Sequence, residues 1–270
     1  MKILVCCTNY NTYQELDSFL NSIEKAGLET KEVTSISVIV CDNSEKKREY
    51  DYNGNISVQI IKANRNFGYL GGIIEGIRHS TKSLSNYDYI ILSNVDLTID
   101  EKLFSELEEI QDNGNVGCYA PSIFSQTEGI NRNPKVLKRY SRNQLETLRL
   151  LFKFPILWYL YNSILHKKRR KRIGEKNNTE KTIYAPHGSF MIFTNSFASF
   201  LQDMSFHSFL FCEELFFAEN LRKRGLEVVF KPNLVVYDID HVSTSRIKKR
   251  DYFKYNYQSL TMILKEYYNE

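Results

Sequence analysis

The chain predicts an α/β domain on a largely parallel central sheet with helices on both faces. Three observations predict it. Short apolar runs rich in β-branched residues alternate with helix-like stretches, the pattern of successive βαβ crossovers. Those runs are apolar throughout rather than alternating, so both faces of the strands are covered. Finally, 270 residues with 42% hydrophobic content supply enough apolar material for one elaborated globular domain.

The elements follow in order. Lys2 to Thr8 is the first predicted strand, Asn9 to Thr12 a polar loop, and Thr12 a cap for a helix running to about Ala26, stopped by Gly27. Ser35–Cys41 and Ile56–Ile61 are the next strands. Gly71 to His79 reads as a helix despite Gly72 and Gly76, which implies close packing or close approach to a ligand. The strand Tyr87–Leu92 runs into Ser93-Asn94-Val95-Asp96. A helix from Glu101 to about Gln111 and a strand Val116–Ala120 follow. Asp100 is the better cap for that helix, which leaves Asp96 at the carboxyl end of a strand without a capping duty. That end of an open α/β sheet is where ligands bind.

Beyond Pro121 the alternation breaks. Asn143–Leu151 and Pro155–Leu165 are predicted helices, and residues 173–181 a polar loop. Thr182–Ala185 and Ser189–Phe193 are strands flanking Pro186-His187-Gly188. Phe209-Leu210-Phe211-Cys212-Glu213-Glu214 opens a helix that ends at Lys223-Arg224 with Gly225 as its stop. Strands at Leu226–Phe230 and Leu234–Tyr237 and a last helix from Lys248 to Tyr268 complete the chain, so residues 1–246 form the main domain and 247–270 a C-terminal helix.

Charge and cysteine content narrow the function. Between Arg132 and Arg172 there are 13 Lys or Arg against Glu146 alone, whereas the remainder carries 23 basic and 31 acidic residues. An apolar aromatic run, Leu150 to Leu165, ends in His166-Lys167-Lys168-Arg169-Arg170-Lys171-Arg172. Residues 150–172 therefore read as a peripheral membrane contact, with a packed helical hairpin or a contact between subunits of a homo-oligomer as the alternatives. Lys153 and Pro155 interrupt the run too early for a membrane span. No nucleic-acid-reading module accompanies the basic cluster, so nucleic acid is not an expected partner. The five cysteines show neither metal-ligand spacing nor a disulfide framework, and Met1 to Val5 enters a strand without a signal peptide. A reducing, cytoplasmic setting is expected, at the inner face of the cell membrane.

Glycine-rich nucleotide motifs are missing. The loop after the first strand is Thr8-Asn9-Tyr10-Asn11-Thr12, without the Gly-x-Gly-x-x-Gly of dinucleotide enzymes, and there is no phosphate loop of the Gly-Lys-Ser/Thr kind. Instead, three strands end in Thr8-Asn9, Asp42-Asn43-Ser44 and Asn94-Val95-Asp96. Each alone is turn chemistry; three on one sheet edge make a site. Glu213-Glu214 at a helix start is either dipole-favoured first-turn acid or, shielded by Phe209, Phe211 and Phe216, a general base. His241, among Asp238, Asp240 and hydroxyl residues, is a metal ligand or a loop histidine.

The ordered set of clusters resembles glycosyltransferase family 2, and within it the rhamnosyltransferase-like enzymes of bacterial polysaccharide synthesis. It comprises Thr8-Asn9-Tyr10-Asn11, Cys41-Asp42-Asn43-Ser44, Asn64-x-Asn66-x-Gly68, Asn94-Val95-Asp96, Ala185-x-x-Gly188, Phe209-x-x-x-Glu213-Glu214 with Gly225, and His241-x-x-x-Ser245. The resemblance implies a GT-A fold and an inverting transfer of a hexosyl or deoxyhexosyl unit from a nucleotide-sugar donor to a saccharide or lipid-linked acceptor. It implies that Thr8, Asn9, Tyr10, Asp42, Asn66, Gly68, Asn94, Val95 and Asp96 bind the donor, and that His187 and Gly188 meet the acceptor. Asp96 and His241 would hold a Mn or Mg ion. Glu214 would deprotonate the acceptor hydroxyl, with Glu213 as its neighbour. Two positions depart from the family's pattern: Asn94 stands where a first Asp is usual, which removes an anionic ligand, and Glu214 stands where Asp is usual. The alternative is a non-catalytic descendant that keeps the nucleotide pocket as a scaffold.

Overall fold

The computed structural model describes residues 1–268 except 31–32, 34, 47, 81, 112–113, 170–178 and 239–246. The order of elements is β1 (Lys2–Asn9), α1 (Tyr13–Leu28), β2 (Ser35–Asp42), β3 (Ser57–Lys62), α2 (Tyr69–Arg78), β4 (Tyr89–Asn94), β5 (Leu97–Ile99), α3 (Leu103–Glu108) and β6 (Val116–Ser125). There follow α4 (Arg142–Lys153), α5 (Pro155–Arg169), β7 (Lys181–Ile183), β8 (Phe190–Thr194), α6 (Ala198–Asp203), α7 (Glu213–Lys223), β9 (Glu227–Asp238) and α8 (Lys249–Tyr267).

The described strands form one sheet in the order β3-β2-β1-β4-β8-β6-β9-β5, with β7 also on β9. β1 to β4 are mutually parallel, as the alternation predicts. The second half is not: β8 runs antiparallel to both β4 and β6, and β5 and β7 antiparallel to β9, so the sheet as a whole is mixed. Side chains of β1 alternate between the faces. Ile3, Val5 and Cys7 join α1 and α3 in one core, while Leu4 and Cys6 join α2, α7 and α8 in the other. The C-terminal helix therefore shares the main core, through Phe253, Leu260, Ile263 and Leu264.

Several local expectations shift for physical reasons. α1 continues through Gly27, where a Cβ would meet the Ile36 side chain at 2.6 Å, so this glycine serves packing on β2 rather than helix termination. Gly225 does terminate α7: at φ 70° it gives its N–H to the Arg222 carbonyl, and Leu226 gives its own to Leu221. The two predicted C-terminal strands are one, β9, with a register shift after Lys231 where Pro232 has no N–H to donate and Ser122 bonds the Pro232 carbonyl instead. Asp100 accepts the Lys102 N–H at 3.0 Å in a turn that precedes α3, so it caps that turn and not the helix.

α7 is fixed under the sheet by Phe217, whose ring centroid lies 4.8 Å from that of Phe193 on β8. Both rings are fully buried, each contributing about 1.5–3 kcal/mol relative to exposure. Further along, Glu219 is fully buried yet bonded by Arg139 at 2.7 Å, Tyr184 at 2.6 Å and Arg222 at 3.0 Å. Burial pushes its pKa up, but these partners outweigh it and hold the carboxyl below its ordinary range. The helix carrying Glu213 and Glu214 is thus held at its middle by aromatic packing and a satisfied ion cluster.

Candidate active site

The ends of β1 and β2 lie side by side, with Asn9 opposite Asp42 in register. Asn9 is buried and gives its amide to Asp42 Oδ1 at 3.1 Å. Ser44 donates to the same oxygen at 2.6 Å, and the Tyr13 hydroxyl to Oδ2 at 2.8 Å. Asp42, 2% exposed, is the hub of the first loop. Thr12 is the N-cap of α1, its carbonyl accepting the Leu16 N–H at 2.9 Å, but its hydroxyl caps no helical N–H and donates instead to Asn9 Oδ1 at 2.8 Å. Tyr10 and Asn11 are the exposed members of the loop, and the Tyr10 hydroxyl donates to Glu45 at 3.3 Å.

The start of α2 closes onto this edge. Asn66 Oδ1 accepts the Gly68 N–H at 2.8 Å, an Asx turn that sets Gly68 at φ 77°. The Gly68 carbonyl accepts from Asn43 at 2.8 Å and the Tyr69 carbonyl from Thr8 at 3.0 Å. Gly72 permits the approach, because a Cβ there would fall 2.7 Å from Thr8 Oγ1 and 2.9 Å from Asn43 Nδ2. Close packing, one of the two reasons offered for a glycine in this helix, is what the position requires.

Asn94-Val95-Asp96 occupies the bend between β4 and β5, where the chain leaves the parallel strands for β9. Asn94 is opposite Thr8 and gives its N–H to the Ser189 carbonyl at 2.9 Å. Val95 and Asp96 are each 5% exposed. The segment that contains His241 lies outside the described residues; β9, which leads into it, ends at Asp238 opposite Leu97, the residue after Asp96. Among the described residues no three His, Cys, Asp or Glu side chains converge as metal ligands. A single strand-end carboxylate nevertheless suits a hard divalent ion that takes its remaining oxygens from a diphosphate and water.

The opposite wall begins at His187-Gly188. The Asn133 side chain accepts the His187 N–H at 2.8 Å, and His187 Nδ1 lies 2.8 Å from Ser189 Oγ and takes the Ser189 N–H at 3.3 Å. A Cβ on Gly188 would stand 3.6 Å from Glu214 Oε2, so the Glu214 carboxylate sits over this glycine. Glu213 and Glu214 open α7 after Phe211 and Cys212, both non-glycine residues at positive φ (72° and 65°). That pair of left-handed residues turns the chain sharply and is held by backbone N–H groups of Phe211 and Glu213 directed at the Glu213 carboxylate. Burial first, and then the charge of Glu214, raise the Glu213 pKa to about 8. At neutral pH Glu213 therefore keeps a proton, while Glu214 is the half-buried member of the pair.

The two walls meet. A Cβ on Gly68 would strike the Phe209 carbonyl at 1.9 Å, so the lead-in to α7 lies directly on the start of α2. Tyr69 stands at this junction with a buried hydroxyl that has no hydrogen-bond partner among the described residues. Burial first, and then the charge of Glu213, push its pKa well above the ordinary value. The predicted residues Thr8, Asn9, Asp42, Asn66, Gly68, Asn94, His187, Gly188, Glu213 and Glu214 are thus linked through these contacts, with Val95 and Asp96 buried directly after Asn94 and Tyr10 at the rim. Sequence reasoning missed Tyr13, Tyr69 and Asn133. Tyr69 had a signal in its place directly after Gly68; Asn133 had none, being distant in sequence from the loop it supports.

The family model described as Glycosyl transferase family 2 matches residues 3–198. The chain belongs to glycosyl transferase family 2. No curated protein matches it by sequence. Among solved structures this family 2 chain is similar to GalNAc-T7, crystallised with UDP, GalNAc and Mn2+, with a TM-score of 0.59 and 12% identity over 98% of the chain. It is also similar to S. aureus TarS 1-349, with a TM-score of 0.53 and 10% identity over 87% of the chain. The chain spans 48% of the first structure and 59% of the second. These likenesses establish a GT-A-like α/β fold with a mixed central sheet flanked by helices.

Proposed function

We propose that the protein is an inverting glycosyltransferase that moves a hexosyl or deoxyhexosyl unit from a nucleotide sugar to a saccharide or lipid-linked acceptor in cell-surface polysaccharide synthesis. The observation that carries this reading is the chain of contacts from the Asn94-Val95-Asp96 strand end to the Glu213-Glu214 pair: Asn94 bonds the Ser189 carbonyl, and Glu214 sits over the adjacent Gly188. In this reading the first is the donor wall and the second the acceptor wall.

In this reading Thr8, Asn9 and Tyr10 border the base, with Asp42 as the hub that holds their loop and offers base or ribose an acceptor. Asn66 and Gly68 line the same pocket. Asn94, Val95 and Asp96 face the diphosphate, and Asp96, with His241, would hold Mn or Mg. When bound, such an ion neutralises charge on the leaving nucleoside diphosphate. His187 and Gly188 shape the acceptor side. Glu214 takes the proton of the acceptor hydroxyl; the oxygen then attacks the anomeric carbon from the face opposite the leaving group. The bond to the diphosphate breaks with its electron pair, and the configuration inverts. Glu213 stays protonated beside Glu214, which keeps two negative charges from sharing one buried site. The segment 150–172 is the peripheral membrane contact, and the inner face of the cell membrane the place of work.

The test is nucleoside diphosphate release from a panel of nucleotide sugars, led by UDP sugars because the GalNAc-T7 structure holds UDP, GalNAc and Mn2+. Slow Mn2+-dependent hydrolysis by the unmodified protein is expected. Glu214→Gln lowers turnover by about 100-fold or more while leaving nucleotide binding intact, whereas Asp96→Ala abolishes the gain in nucleotide affinity that Mn2+ brings. Nucleotide binding without any turnover would favour the non-catalytic scaffold, a reading in keeping with Asn94 in place of a carboxylate.

A further inference from the structure

Helix α5 is apolar and uncovered. Ile156 is 76% exposed, Leu160 59%, and Leu157 48%, with Phe154 and Leu150 exposed beside them. A helix of this composition in a globular protein is normally buried, and a contiguous patch of such residues marks a docking surface. Trp158 turns inward, stacking on Phe152 of α4 at 4.5 Å and meeting Phe253 of α8 edge-on at 6.4 Å, and the half-exposed Tyr159 meets the same Phe253 edge-on at 6.0 Å. The arm is therefore anchored, and its apolar side faces outward by construction.

Charge decides between occupants. α5 continues into Lys167, Lys168 and Arg169, in a segment with 13 basic residues and one acidic residue between Arg132 and Arg172. A second copy of this face would bring two such segments together, which like-charge repulsion opposes. An anionic lipid surface accepts both features, taking the apolar side chains at the acyl boundary and the basic ones among headgroups. Among the described residues no helix is long and apolar enough to cross a membrane, so contact is at the surface.

The arm also points to the acceptor wall. Phe152 packs against Tyr252 of α8 at 5.8 Å, and Tyr252 packs edge-on against Phe211 at 5.3 Å, two residues from Glu213. We infer that α5 is a docking helix for an anionic membrane surface, placed one aromatic layer from the acceptor side so that the acceptor is met at that surface. The choice of acceptor rests on the transferase reading; the docking does not.

Trp158 is the chain's one tryptophan and reports on the arm directly. Vesicles of phosphatidylcholine with 30% phosphatidylglycerol on the order used to mimic anionic membranes are the probe, with brominated chains as quencher. Expected is co-sedimentation and quenching of Trp158, both reduced at least tenfold in pure phosphatidylcholine or at high salt, and reduced as much in Ile156→Ser/Leu157→Ser/Leu160→Ser. The triple variant changes exposed positions only, and an unchanged melting temperature verifies its fold. Equal binding to neutral vesicles, or none, overturns the inference, as does a dimer in solution that the triple variant dissolves. Donor and acceptor are absent throughout, so failure of docking and failure of sugar transfer are separate results.

Discussion

Glu213 illustrates how a position inside the fold sets a group's chemistry. Its pKa of about 8 arises chiefly from burial, and the proton it retains has a thermodynamic signature. In the unfolded chain the group titrates near 4.5, so between that pH and about 8 the native state holds a proton that the unfolded state has released. The stability Glu213 contributes is complete below pH 4.5, falls as pH rises, and is lost once pH passes about 8. Glu213→Gln removes this dependence. Urea midpoints should show the variant gaining on the unmodified protein by a few kcal/mol, in order of magnitude, from pH 5 to pH 9; an equal difference at both would contradict the assignment. Sequence alone named the Glu213-Glu214 pair but not which member holds the proton. That depends on Gly188 lying under Glu214 and on the reversed backbone at Phe211-Cys212, neither of which leaves a periodic trace.

At the scale of elements, glycine separates packing from strain. Gly68 combines φ 77° with a carbonyl 1.9 Å from where a Cβ would stand, and both belong to backbone that has no easy retreat. Gly68→Ala should cost more than about 2 kcal/mol and lower the melting temperature by roughly 4 °C or more. Gly27→Ala meets only the tip of Ile36, a side chain free to turn, and gains about 1 kcal/mol of helix propensity. Its melting temperature should stay within about 3 °C of the original. A reversed order in differential scanning fluorimetry would refute the distinction. The parallel half was legible because β1, β2 and β4 are buried apolar runs ending in polar residues, with the partly exposed β3 at the edge beside β2. The second half was less so, since β5 has three residues and β7 three, too short for a pattern to declare itself. Their identity as strands comes from β9, which pairs with both.

Across the whole molecule, α8 links the C-terminal sequence to the acceptor wall. Tyr255 packs on Phe209 at 4.9 Å, Tyr252 on Phe211 at 5.3 Å, and Ser259 donates to the Leu210 carbonyl at 2.6 Å. The helix itself was readable from sequence; its grip on residues 208–211 was not, because contacts between distant segments carry no local pattern. Tyr252→Ala/Tyr255→Ala should loosen the lead-in to Glu213 and lower transfer about tenfold or more, with Mn2+-dependent nucleotide affinity unchanged by calorimetry. Loss of both together would make α8 a general stabiliser instead. The mixed sheet has one further consequence, in the order of synthesis. β4 pairs with β1 as soon as it emerges, but its other edge waits for β8. Roughly 100 residues separate the two, about 5–20 s at ordinary elongation rates. Throughout that interval the nascent chain carries a hydrophobic strand with one edge unpaired, and a hydrogen-bonding row open to any neighbour.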